Sequence, residues 1–244
     1  MAVWAIYVRQ IRMLSVPRRP AGQIGACVAA VVLAGLALAS DPGIVGVVLA
    51  CVAMGASLRF LLTTLTSRLP GTMPAAQVGE PAPVFTATDA SGNPFDLGSL
   101  RGRAVLLKFF RGHASPHCLA ELRRWEAFRG QLDLFGVSMV AVSPDDVAQA
   151  ARLRSKNQLG ITLLTDDDFQ LTNMYKVRQE RLLAAAGLPV RPRVIPTTFL
   201  IDSDGVVRWI DQAEDYRIRS DIDRVMAAVK LGLARQAREL RESS

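Results

Sequence analysis

Between Arg19 and Arg59 the chain carries a single charge, Asp41. Ala21 to Ser40 reads AGQIGACVAAVVLAGLALAS. As a helix rising ~1.5 Å per residue it spans ~30 Å, the thickness of a bilayer core. Asp41-Pro42-Gly43 is a turn sequence. Ile44 to Leu58 is again apolar, and the run continues past Arg59 to about Leu65. A helix in water needs a polar face, and neither segment has one. The pair predicts a transmembrane helical hairpin over residues 21–66. Small residues at Gly22, Gly25, Ala29, Gly46, Ala50, Ala53 and Gly55 let its two backbones approach closely. A cleavable leader is the rival reading, with Ala37-Leu38-Ala39 as a small-x-small site. The late start of the apolar run and the second run at once after it argue for the hairpin.

The net charge of +7 is concentrated around these segments. Residues 1–78 hold six arginines (Arg9, Arg12, Arg18, Arg19, Arg59, Arg68) and one acid, Asp41, so the remaining chain is nearly neutral. Basic flanks of membrane spans account for this charge, and no nucleic-acid motif or aromatic-studded basic stripe occurs. By the positive-inside rule both hairpin ends lie in the cytoplasm, and Arg59 can snorkel to the interface. In the basic segment 1–20, Val3, Trp4, Tyr7, Val8, Ile11 and Leu14 share a helical face, so the segment is either a helix lying in the membrane interface or a frayed terminus. Cys27 and Cys51 fall in the spans at different depths, which disfavours a disulfide between them. Only Cys118 lies in the globular part, so there is no disulfide framework and a reducing compartment fits.

A linker over 67–78 leads to a domain over 79–234, with a charged tail over 235–244. Phe85 to Asp89 and Pro94 to Asp96 flank Ala90-Ser91-Gly92-Asn93 as a small hairpin. Ala104 to Phe110 (AVLLKFF) and Val137 to Val142 read as buried strands. Leu119, Leu122, Trp125 and Phe128 share a face of a helix over Pro116 to Phe128. Further helices are predicted over Asp145 to Asn157, Phe169 to Val177 and Ser220 to Leu240, and a short strand over Ile161 to Leu164. Thr198 to Asp202 and Val206 to Ile210 flank the hairpin signal Ser203-Asp204-Gly205. Strands alternating with helices, then an antiparallel hairpin, predict an α/β fold: a mixed sheet with helices on both faces.

The chemistry concentrates in Phe109 to Leu122, FFRGHASPHCLAEL. Pro116 suits a first helical turn, Ser115 falls at the N-cap, and Cys118 sits in the first turn, where free N–H groups and the helix dipole favour a thiolate. His113 and His117, the only two histidines, flank this cysteine. They either tune the thiol or are plain surface residues; the spacing could also hold a metal, but no acidic or further thiol ligand stands nearby in the sequence.

These residues resemble the alkyl hydroperoxide reductase/thiol-specific antioxidant (peroxiredoxin-like) family of the thioredoxin superfamily, in its branch with the strand-end motif F-Y-R-G-x-W-C-P-Y-C-x-x-E-L. Phe110, Arg111, Gly112, Ser115-Pro116-His117-Cys118 and Glu121-Leu122 carry the match. Val140 to Asp145, Leu163 to Asp166, Pro196 to Gly205 and Asp215-Tyr216-Arg217-Ile218-Arg219 follow in the family's order. The resemblance covers about residues 78–232. It implies a thioredoxin-like sheet and a cis-proline at Pro196, followed by Thr197, beside the active loop.

Ser115 replaces the first cysteine of C-x-x-C, so dithiol exchange is lost. It satisfies instead the peroxiredoxin [Thr/Ser]-x-x-Cys pattern, whose hydroxyl positions a peroxide that the cysteine attacks. That pattern has proline where Arg111 stands and arginine where Pro196 stands; Arg111 is either a substitute cationic partner or a solvated loop residue. Cys118 is either a reactive thiol or, like the second cysteine of C-x-x-C, a shielded remnant. The expectation is a membrane-tethered oxidoreductase with catalytic residues Cys118, Ser115, Arg111 and His117, and with Pro116, Pro196 and Thr197 as structural neighbours. It needs no cofactor or metal. Its partners are membrane lipid around residues 21–66, a hydroperoxide or protein thiol as substrate, and an external thiol reductant. The alternative is a thioredoxin-fold binding or scaffold protein without redox chemistry.

Overall fold

The computed structural model describes residues 2–13, 15–17, 20–40, 43–69, 71–180, 191–218 and 222–242. Leu14, Arg18, Arg19, Asp41, Pro42 and Arg219, used in the sequence reading, lie outside the described residues, as does Ser220. The chain divides into two compact units, Met1–Arg68 and Leu69–Ser244.

The first unit holds α1 (Ala2–Arg12), α2 (Ala21–Ala39) and α3 (Gly43–Leu65). Helices α2 and α3 pack on each other over small side chains; Cys27, Ala34 and Ala50 are buried. Leu33, Leu36, Ile44, Val45 and Leu49 face outward, each at least 64% exposed. Both helices are long and apolar enough to cross a membrane. The aromatic face of α1 is not left open. Trp4, Tyr7 and Phe60 of α3 form an edge-to-face cluster with centroids 5.4–6.1 Å apart, and Trp4 Nε1 donates to the Ala56 carbonyl at 3.0 Å. Tyr7 is buried in this cluster, and Ile11 is buried as well.

The second unit is a seven-stranded mixed sheet in the order β2-β1-β5-β4-β3-β8-β9. Its strands are β1 (Thr86–Asp89), β2 (Pro94–Asp96), β3 (Ala104–Phe109), β4 (Val137–Ser143), β5 (Thr162–Thr165), β8 (Thr197–Ile201) and β9 (Val207–Gln212). A separate pair, β6 (Arg178–Gln179) and β7 (Arg193–Val194), lies apart from it. Strands β3, β4 and β5 run parallel, β8 pairs antiparallel with β3, and β9 pairs antiparallel with β8. The helices are α4 (Pro116–Leu134), α5 (Val147–Asn157), α6 (Gln170–Met174) and α7 (Ile222–Glu242).

Alternation along β3 divides the core. Ala104 and Leu106 face one layer with Leu122 and Trp125 of α4, Leu153 of α5 and Val225 of α7. Val105, Leu107 and Phe109 face the other with Phe85, Tyr175 and Phe199. Helix α6 is shorter than the periodicity predicts. Phe169 and Lys176 adopt left-handed backbone (φ 62° and 52°) and bound the helix on either side. Among the described residues no peptide bond is cis, which corrects the expectation for Pro196. Between β7 and β8 the Ile195 N–H bonds the Val177 carbonyl at 2.7 Å, and Pro196 stands at the entry to β8. At the entry to a strand a trans proline sacrifices no ladder hydrogen bond.

Candidate active site

The site forms where β3 and β4 end, the edge of an open α/β sheet at which ligands bind. Beyond Phe109 the chain must turn sharply to start α4. Gly112 supplies the turn with φ +86°, and the Ser115 N–H bonds the Gly112 carbonyl at 3.2 Å. Ser115 then caps α4: its hydroxyl accepts from Cys118 N–H at 3.4 Å, with Pro116 in the first turn. The three cysteines are thiols, and Cys118 is fully buried in the core layer with Leu122 and Trp125.

Gly112 has a second reason to be glycine. A Cβ there would stand 2.5 Å from Asp145 Oδ1. Asp145, just past β4, fills that space and is itself buried. It accepts from His113 N–H at 2.8 Å and from the Ser143 hydroxyl at 3.0 Å, and its other oxygen lies 2.7 Å from His113 Nδ1. The acidic neighbour that the local sequence of His113 lacks is thus delivered from 32 positions on.

Arg111 is not a solvated loop residue. Its Nε donates to the Val194 carbonyl at 3.0 Å, an NH2 group donates to Gln179 Oε1 at 2.9 Å, and the guanidinium stacks 4.5 Å from the Tyr216 ring centroid. His117 is not a surface residue either: it is buried, edge-on to the same Tyr216 at 6.2 Å. Burial pushes the Tyr216 hydroxyl above its ordinary pKa, a shift that Arg111 and Arg217 oppose and Asp215 reinforces. Arg217 is buried against Asp215 at 2.7 Å. Pro116 starts α4, Thr197 donates its hydroxyl to the Ile195 carbonyl at 2.9 Å, and Pro196 accepts from Ala213 N–H.

Sequence reading missed one further feature. Lys108, inside the apolar run of β3, is buried with its Nζ 2.7 Å from Glu121 Oε1, one turn past Cys118 on α4. It also bonds Thr198 Oγ1 at 3.3 Å and lies 4.7 Å from the Trp125 ring centroid. The available signal was the lysine itself, because a charge in a buried strand requires a partner. Among the described residues no set of three or more metal-ligating side chains comes together.

A β-strand that delivers a capped helix with a first-turn cysteine, in a mixed sheet ending in an antiparallel hairpin, defines a thioredoxin-fold protein of peroxiredoxin type. Comparison with known proteins agrees. The AhpC/TSA family profile matches residues 78–210, more than half the chain, and the chain belongs to that family. Peroxiredoxin Bcp of Escherichia coli is 26% identical over 154 residues, covering 63% of this chain and 96% of its own. A Mycobacterium tuberculosis protein named as a peroxiredoxin is 31% identical over 129 residues, covering 53% of this chain and 80% of its own. In fold the chain is similar to the crystal structure of peroxidoxin BcpB from M. tuberculosis, with a TM-score of 0.54 and 22% identity over 64% of this chain and 97% of that one. It is also similar to peroxiredoxin Q of Xanthomonas campestris, with a TM-score of 0.53 and 22% identity over 60% and 90%.

Proposed function

We propose that this chain is a membrane-tethered peroxidase that works through Cys118 alone. The observation that carries the reading is Cys118 in the first turn of α4, capped by Ser115, within a fold whose relatives are peroxiredoxins. The Cys118 sulfur attacks the terminal oxygen of a hydroperoxide, the O–O bond breaks, an alcohol or water leaves, and Cys118 becomes a sulfenic acid. Cys118 is the one cysteine of the second unit, so an external thiol regenerates it. That thiol displaces water to form a mixed disulfide, and a second thiol releases Cys118.

Arg111 supplies the cation of the site. The family pattern pairs proline at position 111 with arginine at position 196, and this chain carries the reverse. The Arg111 side chain reaches the Val194 carbonyl, two residues before Pro196, which supports the exchange. Cys118 is fully buried, and this makes the reaction slow for its class. One observation favours a second reading, a binding module without redox chemistry: the thiol is fully buried where C-x-x-C has become Ser-x-x-Cys.

The hairpin holds the domain at the membrane with both ends on the cytoplasmic side. Outward apolar side chains on α2 and α3 and arginines at the ends of the hairpin support this placement. The Trp4–Tyr7–Phe60 cluster, with Arg59 5.5 Å from the Trp4 ring centroid, fits the interfacial level. The test is thiol-dependent hydroperoxide consumption by the detergent-purified chain. Consumption lost in Cys118→Ala supports the peroxidase; none in the native chain leaves the binding module. Resistance to carbonate extraction with release by detergent tests the tether, and a C-terminal reporter tests the side.

A further inference from the structure

We infer that His113, oriented by Asp145, donates the proton to the oxygen that leaves when Cys118 is oxidised. The inference rests on the peroxidase reading and adds to it a group that the [Thr/Ser]-x-x-Cys pattern does not contain. The reaction creates the need. A thiolate brings no proton, and the departing alkoxide or hydroxide is a strong base that leaves well only if protonated. Arg111 cannot supply the proton, since a guanidinium does not deprotonate in proteins. Tyr216 is a poorer acid than an ordinary phenol because it is buried.

The structure builds a holder for an imidazole at this edge. Asp145 is nearly inaccessible, with its side chain 5% exposed, while the His113 ring is 47% exposed. The carboxylate faces Nδ1 at 2.7 Å, which orients the ring and leaves Nε2, the second N–H of the doubly protonated ring, pointing away from the carboxylate. Ser143 and the His113 backbone N–H hold the carboxylate from two other sides. Gly112 is shaped around it, since any side chain there meets Asp145 Oδ1. His113 follows the end of β3 and Asp145 follows the end of β4, neighbouring parallel strands. Two hydrogen bonds, Ser115 N–H to the Gly112 carbonyl at 3.2 Å and Cys118 N–H to the Ser115 hydroxyl at 3.4 Å, link the His113 turn to the thiol's own backbone.

The step balances. The Cys118 sulfur gives its electron pair to the terminal peroxide oxygen and the O–O bond breaks. The other oxygen takes the proton from His113 Nε2 and leaves as alcohol or water. Cys118 is left as S–OH and His113 as the neutral ring, which solvent reprotonates. Sulfur is oxidised and the peroxide is reduced.

Leaving groups of different basicity provide the test. Hydrogen peroxide expels hydroxide, whose conjugate acid has a pKa of ~15.7. Peracetic acid expels acetate, a carboxylate with a conjugate-acid pKa of ~4 that needs no proton to leave. Single-turnover sulfenate formation is measured with both oxidants on the full chain in detergent, for native protein, His113→Gln and Asp145→Asn. The expected result is a loss of ~10²-fold with hydrogen peroxide in His113→Gln, with the peracetic acid rate nearly unchanged. Asp145→Asn shows the same selectivity with a smaller loss. Equal losses with both oxidants mean a purely structural role and overturn the inference, as does no loss with either. Native protein that forms sulfenate with neither oxidant refutes the peroxidase reading and the inference with it.

Discussion

Gly112→Ala tests the architecture of the site at one atom. Two separate penalties meet there. The backbone sits at φ +86°, where an L side chain costs about 1–2 kcal/mol. The new Cβ would also stand 2.5 Å from Asp145 Oδ1, so the carboxylate must move and weaken its bonds to His113 and Ser143. A hydrogen bond to a charged group is worth about 1.5–3 kcal/mol, so the total reaches about 2.5–5 kcal/mol. Gly102 separates the two terms: its φ is +90°, and nothing lies within 4 Å of a Cβ built there. Gly102→Ala therefore pays only the backbone part, about 1–2 kcal/mol. The assay is urea unfolding of the full chain in detergent, read by the fluorescence of buried Trp125. In an Asp145→Ala background the Gly112→Ala cost falls to that of Gly102→Ala. If Gly112→Ala costs no more than Gly102→Ala in the native background, Asp145 is not what this glycine makes room for.

Lys108→Met removes the cation from buried Glu121 and costs about 3–5 kcal/mol, while Lys108→Met with Glu121→Leu recovers most of it; urea midpoints of the three proteins check this. Burial pushes the Tyr175 hydroxyl above its ordinary pKa, so its contribution to stability is complete below about pH 10, the unfolded value, and is lost as pH rises from there through the folded value. Tyr175→Phe abolishes that alkaline loss and, without the bond to the Pro83 carbonyl at 2.7 Å, costs about 1 kcal/mol at neutral pH; melting curves across pH measure both. Ser115→Cys places a second sulfur in the capped turn, forms a disulfide with Cys118 and gains insulin-reducing activity; a disulfide without activity means that the surrounding groove has also diverged.

The parts of this protein that are legible in sequence are those whose causes are local. The run Ala104 to Phe109 is a strand because it is apolar on both faces, and Ser115-Pro116 starts α4 because capping and proline chemistry act within one turn. Cys118 was found by the same short-range logic. The partners of His113 and Arg111 were not, because they arrive through tertiary contact. Asp145 comes from the end of the neighbouring strand, Tyr216 from the segment after β9, and the need of Lys108 for Glu121 was hidden in a run that read as apolar. The pair β6 and β7 has two residues per strand, too few to show a period. Family likeness implies a cis bond at Pro196, and the described residues contain none. Likewise the face of α1 containing Trp4 and Tyr7 carries the same pattern whether it meets lipid or Phe60.

The central claim is that Cys118 is a peroxide-reactive thiol despite its burial. The direct measurement is mass spectrometry of the Cys118 peptide after hydroperoxide treatment of the folded full chain in the presence of a sulfenate-trapping dione. The account predicts a trapped adduct on Cys118 that requires peroxide, is absent in Cys118→Ala and forms more slowly in Arg111→Met. A folded protein whose Cys118 stays unmodified under excess peroxide contradicts it and leaves a thioredoxin-fold binding module at the membrane.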